Sequence, residues 1–471
     1  MTEKEPIQNQ MYSDFENKHL FDTANTYAKS YIDTIMNRNV FPTEEALENL
    51  THFDEDMPNE STDAKAVLKQ LNTYGSPATV ASLGGRYFGF VCGSAVPVGL
   101  AAKALATFWD QSPTMHILSP IGSKLESVVE NWLKKLFNLP EETVAGFVSG
   151  TSMATFCGLA AARYRLLANQ DWNINENGFF NAPKIRVITG KHVHSTILKA
   201  ISLLGFGKNT IEWVDVDDQG RICADQIPEL DNATLLILQA GNVNSGSFDD
   251  FEIICTKAKE AGAWVHIDGA FGLWASAVQQ LQYLTKGIEK ANSWAVDGHK
   301  TLNTPYDSGI ILCKDKEAMA SALHMSGSYI VTSEQRDGMF YTPEMSRRAR
   351  VIELWAILKY LGKSGVDEMI YNMHARAVQF AEGLKNIDGF SVLNDIVFNQ
   401  VLVQCNTNEL TTKTMEKIQE LRDCWVGGSL WKGKKVIRIS VCSWATTETD
   451  VRIAIASFKK ALLAITNETA A

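Results

Sequence analysis

The chain has 471 residues, 45% of them hydrophobic and 21% charged, enough for a globular protein with more than one domain. Its net charge of −10, with no basic stripe to offset it, argues against a nucleic-acid or anionic-membrane partner. The eight cysteines are scattered and include no C-x-x-C pair, so neither a zinc site nor a redox dithiol is indicated; they fit a reducing, cytoplasmic setting.

Residues 1–75 are polar and helix-like, and the opening MTEKEPIQNQMYSDFENK is too polar and acidic for a signal peptide. No uninterrupted apolar run is long enough to span a membrane. Residues 76–315 then alternate helices with short β-branched runs. A helix is expected over 154–168, a strand over 184–190, a helix over 195–205 and a strand over 210–216. LLILQAG (235–241) reads as a buried strand and 251–262 as a helix ending in glycine. AWVHIDGA, SWAVDG and GIILCK close the series. Continuous apolar strands alternating with helices predict a mostly parallel sheet covered on both faces. Residues 316–471 read as a smaller α+β domain: helices VIELWAILKYLG and EMIYNMHARAVQFAEGLKN, strands GFSVL, QVLVQC and KVIRISVCS, and a closing helix.

In parallel α/β sheets, ligands bind beyond the carboxyl ends of the strands. Four such ends carry polar residues. Ser149-Gly150-Thr151-Ser152 follows an apolar FV and opens a helix, an arrangement that caps a helix or cradles an anion. His192 or His194 opens the next helix. Asn242 and Asn244 lie in a Gly/Asn/Ser turn, where asparagine is also an ordinary turn residue. Asp268 ends the strand WVHID, where a carboxylate is costly unless it meets a cation or donors. One strand–helix–strand step later comes Asp297-Gly298-His299-Lys300. Each feature alone has an ordinary structural explanation. Together they provide an amine, a buried carboxylate, a histidine and an anion cradle. Pyridoxal 5′-phosphate needs all four: a lysine for a Schiff base, a carboxylate against the pyridine nitrogen, helix-end amides for the phosphate and a stacking partner for the ring.

Several motifs resemble the pyridoxal-phosphate-dependent group II amino-acid decarboxylases, which include aromatic-L-amino-acid and glutamate decarboxylases. HIDGAFG is similar to the family's H-V-D-A-A-Y/F, and DGHKTLNTPYDSG to its N/D-x-H-K-W-x-x-x-x-x-D-C/S. SGSFDD, VHSTILKA, SPIGSKLESVVENWLKKL and IRISVCSWATTETDV match further family segments in order, so the resemblance covers about Gly84 to the C-terminal helix. It implies the aspartate-aminotransferase-like fold type I, with a mostly parallel seven-stranded sheet in the large domain, a small C-terminal α+β domain and a homodimer with shared active sites. The N-terminal segment would pack on the partner.

By the resemblance, Lys300 would bind the cofactor covalently, and Asp268 would pair with its ring nitrogen. His194 matches the stacking histidine, and Ala270 would pack on the opposite ring face. Thr151, Ser152 and His299 match phosphate-binding positions. Asn244 is a candidate for the cofactor hydroxyl, because Val243 stands where many members carry threonine. Tyr87, Phe88 and Arg438 are candidates for the substrate, Arg438 having the alternative role of an interdomain ion pair. Tyr87, Phe88 and residues 111–119 could line the partner's site or form dimer core. Tyr341 and Tyr329 are candidates for the catalytic loop tyrosine of some members. Asp297 is expected to turn away from the phosphate and cap its own turn. The expected reaction is decarboxylation of an L-amino acid. An aminotransferase or carbon–carbon lyase on the same fold is the alternative, and a non-catalytic relative the third reading.

Overall fold

The apolar runs of the middle of the chain become the strands of one sheet. The structure, a computed structural model, describes residues 6–324 and 334–470. The strands are β1 (Val144–Val148), β2 (Arg186–Gly190), β3 (Ile211–Val214), β4 (Thr234–Gln239), β5 (Trp264–Asp268), β6 (Ser293–Asp297) and β7 (Gly309–Cys313). They lie in the order β1-β7-β6-β5-β4-β2-β3, and β7 runs against both its neighbours while the other pairings are parallel. Strands β1, β4, β5, β6 and β7 are buried at every residue, which is why they lack polar alternation.

Helices cover both faces. One face carries the helices Thr151–Ala168, Ser195–Leu203 and Lys316–Leu323; the other carries Pro120–Leu136, Phe251–Glu260 and the start of Val351–Lys385. Met319, Leu323 and Tyr341 belong to the core of the first face, so large-domain packing continues beyond residue 315. The sequence suggests two helices after residue 350; the structure joins them into Val351–Lys385, broken at Gly362, whose φ of 60° is left-handed. The first half packs on the large domain and the second on the small one.

The small domain is an antiparallel sheet of β8 (Phe390–Val392), β9 (Gln400–Cys405), β10 (Gly427–Trp431) and β11 (Lys434–Ser440), in the order β10-β11-β9-β8. The helices Asn408–Leu421 and Glu448–Ala470 accompany it. The sequence reading misses β10 and the Asn408–Leu421 helix. β10 opens with two glycines at a sheet edge, and the helix is mostly polar, with few buried positions. Among the described residues, no helix is long and apolar enough to cross a membrane.

Candidate active site

The topology brings the carboxyl ends of β1, β6, β5, β4 and β2 to one edge of the sheet, with the start of β7 among them. The polar segments that follow those ends meet around a cavity of about 490 Å³. Thr151, Ser152, His194, Asn244, Asp268, Ala270, His299, Lys300 and Arg438 all line it. Nine candidates spread over nearly three hundred residues thus converge because each follows a strand of this sheet or, for Arg438, lies on β11 facing it.

Lys300 is held by its backbone. Its carbonyl accepts from the Asn303 side chain at 2.8 Å, and the same amide group donates to the Cys442 carbonyl at 2.8 Å. The Asn303 oxygen in turn accepts from the Trp444 amide at 2.8 Å, so one buried asparagine ties the lysine turn to the small domain. Asp268 is 6% exposed and accepts from the Ala270 amide at 3.3 Å. Burial pushes its carboxyl above the usual carboxylate range, against the pull of His194 and Lys300.

His194 caps the Ser195 helix. Its Nδ1 accepts from the Thr196 amide at 3.3 Å and lies 2.7 Å from the Thr196 hydroxyl. With Nδ1 accepting, the neutral ring carries its proton on Nε2. Burial holds the His194 imidazole below its ordinary pKa. His299 is oriented the same way: its Nδ1 accepts from the Ser308 amide at 3.1 Å, and burial again lowers its pKa.

The Thr151 helix begins without a side-chain cap from Gly150. The Thr151 hydroxyl is buried and has no hydrogen-bond partner among the described residues, and Ser152 beside it is exposed. Gly150 leaves the cradle open, for a Cβ there would lie 3.3 Å from His299 Cε1. The opening therefore presents the Thr151 and Ser152 hydroxyls, donors that suit a phosphate.

Asn244 accepts from the Ser429 hydroxyl at 2.7 Å. Arg438 donates to the Val243 carbonyl at 3.2 Å, and burial lowers its pKa. Among the described residues no carboxylate pairs with Arg438, so the interdomain ion pair is replaced by an interdomain hydrogen bond and a guanidinium left facing the cavity.

Three candidates lie elsewhere. Phe88 is 1% exposed in the small-domain core, edge-on to Phe380, and cannot reach a ligand from there. Tyr341 is 7% exposed in the large-domain core under the Arg336 guanidinium, which sits 4.3 Å from its ring centroid. Its hydroxyl is thus not presented to the cavity. Tyr87 stacks on Trp425 at 5.2 Å, outside the cavity lining. Tyr329 lies outside the described residues. Asp297 also departs from expectation: it points into the cradle and takes the Thr151 amide at 2.6 Å. The sequence reading misses Phe90, Gln239 and Ser429 in the cavity wall; of these only Gln239, a polar residue closing an apolar strand, carried a signal that could have found it.

A family model described as "Pyridoxal-dependent decarboxylase conserved domain" matches residues 48–405. An aromatic-L-amino-acid decarboxylase of Bacillus atrophaeus is 26% identical over 422 residues, covering 85% of this chain and 86% of the relative. A phenylacetaldehyde synthase of a Rosa hybrid cultivar is 23% identical over 433 residues, covering 84% and 83%. The solved structure of Oryza sativa TDC with PLP and tryptamine superposes with a TM-score of 0.88 at 20% identity, covering 96% of this chain and 98% of that one, and so shares the fold. With an amine, a buried carboxylate and the start of the Thr151 helix at one sheet edge and the family match spanning more than half its length, the chain belongs to the pyridoxal-phosphate-dependent decarboxylases, a family of carboxy-lyases.

Proposed function

We propose that the chain releases the α-carboxylate of an L-amino acid as CO2 and leaves the amine, with Lys300 as the residue that binds the cofactor aldehyde covalently. The observation that carries this reading is the meeting of Lys300, Asp268 and His194 in one cavity with the start of the Thr151 helix. When bound, pyridoxal phosphate supplies the electron sink for the charge left at the α-carbon. The protein supplies the rest. Asp268 is the counter-charge for the ring nitrogen. The Thr151 and Ser152 hydroxyls and His299 Nε2–H are donors for the phosphate, and His194 and Ala270 flank the ring. His194 Nε2–H is a proton held at the cavity. Arg438 receives a substrate carboxylate, a task that a buried guanidinium without an anionic partner suits.

Phe90, Val91 and Phe271 on the cavity wall favour an apolar or aromatic substrate side chain, and the name of the Bacillus atrophaeus relative supports the same choice. We further propose a homodimer. Phe90 lines the cavity yet is 63% exposed, so the mouth opens beside apolar surface that a second copy would cover.

Released CO2 measured over a panel of L-amino acids tests the reading, with aromatic substrates expected to lead. Amine without a 2-oxo acid or an aldehyde is the expected product; a 2-oxo acid would favour transamination. Lys300→Ala is expected to abolish both the visible absorbance of the cofactor-loaded protein and turnover. Turnover that survives Lys300→Ala would sink the assignment.

A further inference from the structure

Asp297 closes β6 and is 2% exposed. Its Oδ1 accepts from the Thr151 amide at 2.6 Å, at the first residue of an eighteen-residue helix. Its Oδ2 lies 3.2 Å from Lys300 Nζ and 3.6 Å from His299 Nε2. One carboxylate thus contacts the helix-start amide, the histidine and the lysine, groups placed to receive the cofactor's phosphate and aldehyde. Beside it the Thr151 hydroxyl stays buried and, among the described residues, without a partner.

We propose that Asp297 is an internal anion that competes with the cofactor's phosphate for the start of the Thr151 helix, so that loading requires this carboxylate to be displaced. An anion at a helix N-terminus is favourable, but a phosphate next to a carboxylate meets like-charge repulsion at short range. His194, Asp268, Tyr306 and Cys442 also sense Asp297 from the neighbouring elements, alongside Lys300 and His299 on its own turn. Those groups stay in place when Asp297 alone is changed, and so does the titration of the phosphate itself. A difference between two proteins at the same pH therefore isolates this carboxylate. The inference rests on pyridoxal phosphate being the group received.

The experiment measures dissociation constants of pyridoxal phosphate, and of pyridoxal without its phosphate, for the wild-type chain and Asp297→Asn. The expected result at about pH 8 is tightening of roughly tenfold or more for the phosphate form. Pyridoxal brings no phosphate and reports the effect of Asp297 on the Lys300 amine it contacts, so the phosphate form should tighten by clearly more than pyridoxal does. Equal or weaker affinity for the phosphate form, or the same tightening for both aldehydes, overturns the proposal. Asp297→Ser, which removes the charge and keeps a small acceptor, gives the same comparison if the asparagine variant does not fold. A wild-type chain that develops no visible band with pyridoxal phosphate would instead contradict the cofactor assignment.

Discussion

Asp268 has one described donor, the Ala270 amide, for a carboxylate almost sealed from water. Burial raises its pKa, so the sign of its effect on folding follows. A carboxyl raised in the folded state contributes stability below its unfolded pKa, and that contribution is lost as pH rises through the folded value. Without cofactor, the wild-type chain should therefore lose stability from this group as pH climbs above the ordinary carboxylate range. Asp268→Asn is expected to flatten that part of a stability-versus-pH curve and, at neutral pH, to stabilise the cofactor-free protein by about 1 kcal/mol. The same change removes the counter-charge for the ring nitrogen, and turnover should fall on the order of a hundredfold or more. A variant that matches the wild type in both measurements would deny Asp268 the role assigned to it. Asp268 was legible as a costly carboxylate because it ends an apolar strand, and Lys300 only in company with Asp268, His194 and the Thr151 turn, since alone it reads equally well as a loop residue. Phe88 and Tyr341 were not, since an aromatic side chain serves a core or a site equally well and only its burial decides. Asp297 misled because spacing gives the position of a turn residue but not the direction of its side chain.

The sheet edge works as an element because its turns are packed backbone to backbone. Gly309 opens β7 where the turn after β1 passes, and a Cβ there would lie 2.3 Å from Gly150 Cα and 2.5 Å from Gly150 N. Neither neighbour is a flexible side chain that could give way. Gly309→Ala is expected to destabilise the fold by roughly 3 kcal/mol in denaturant titrations, the scale of an overpacked core. It should also weaken pyridoxal phosphate binding, because the displaced turn carries Thr151 and Ser152. A wild-type denaturation midpoint would show that the turn has room the geometry does not suggest. The sheet itself was legible: five strands buried at every position leave an apolar signature that few other elements share. The small domain was only half legible. β9 and β11 are apolar and central, whereas β10 is a glycine-led edge whose Ser429 reaches Asn244 only through the fold.

For the whole molecule, the apolar residues left outside the core matter most. Leu105, Phe108 and Trp109 are 56%, 62% and 46% exposed on the helix Pro97–Trp109, spaced to share one face. Ile117 and Leu118 follow at 67% and 52%. Singly such residues are normal, but a clustered stripe of them is what an association surface looks like. Phe108 already meets Phe21 of the helix His19–Ile35 edge-on at 5.2 Å, so the N-terminal helices extend the same surface. If the proposed homodimer forms here, the purified chain should have twice the 52.1 kDa mass in light scattering. Leu105→Glu with Phe108→Glu should return it to one copy, since two charges would be buried without partners. Each copy holds its own Lys300 and Asp268, so the separated copies should still bind pyridoxal phosphate, more weakly, while CO2 release falls at least about tenfold because the mouth beside Phe90 stays open to water. A wild-type chain that is monomeric and fully active would remove the homodimer from the proposal and leave the apolar stripe without an occupant.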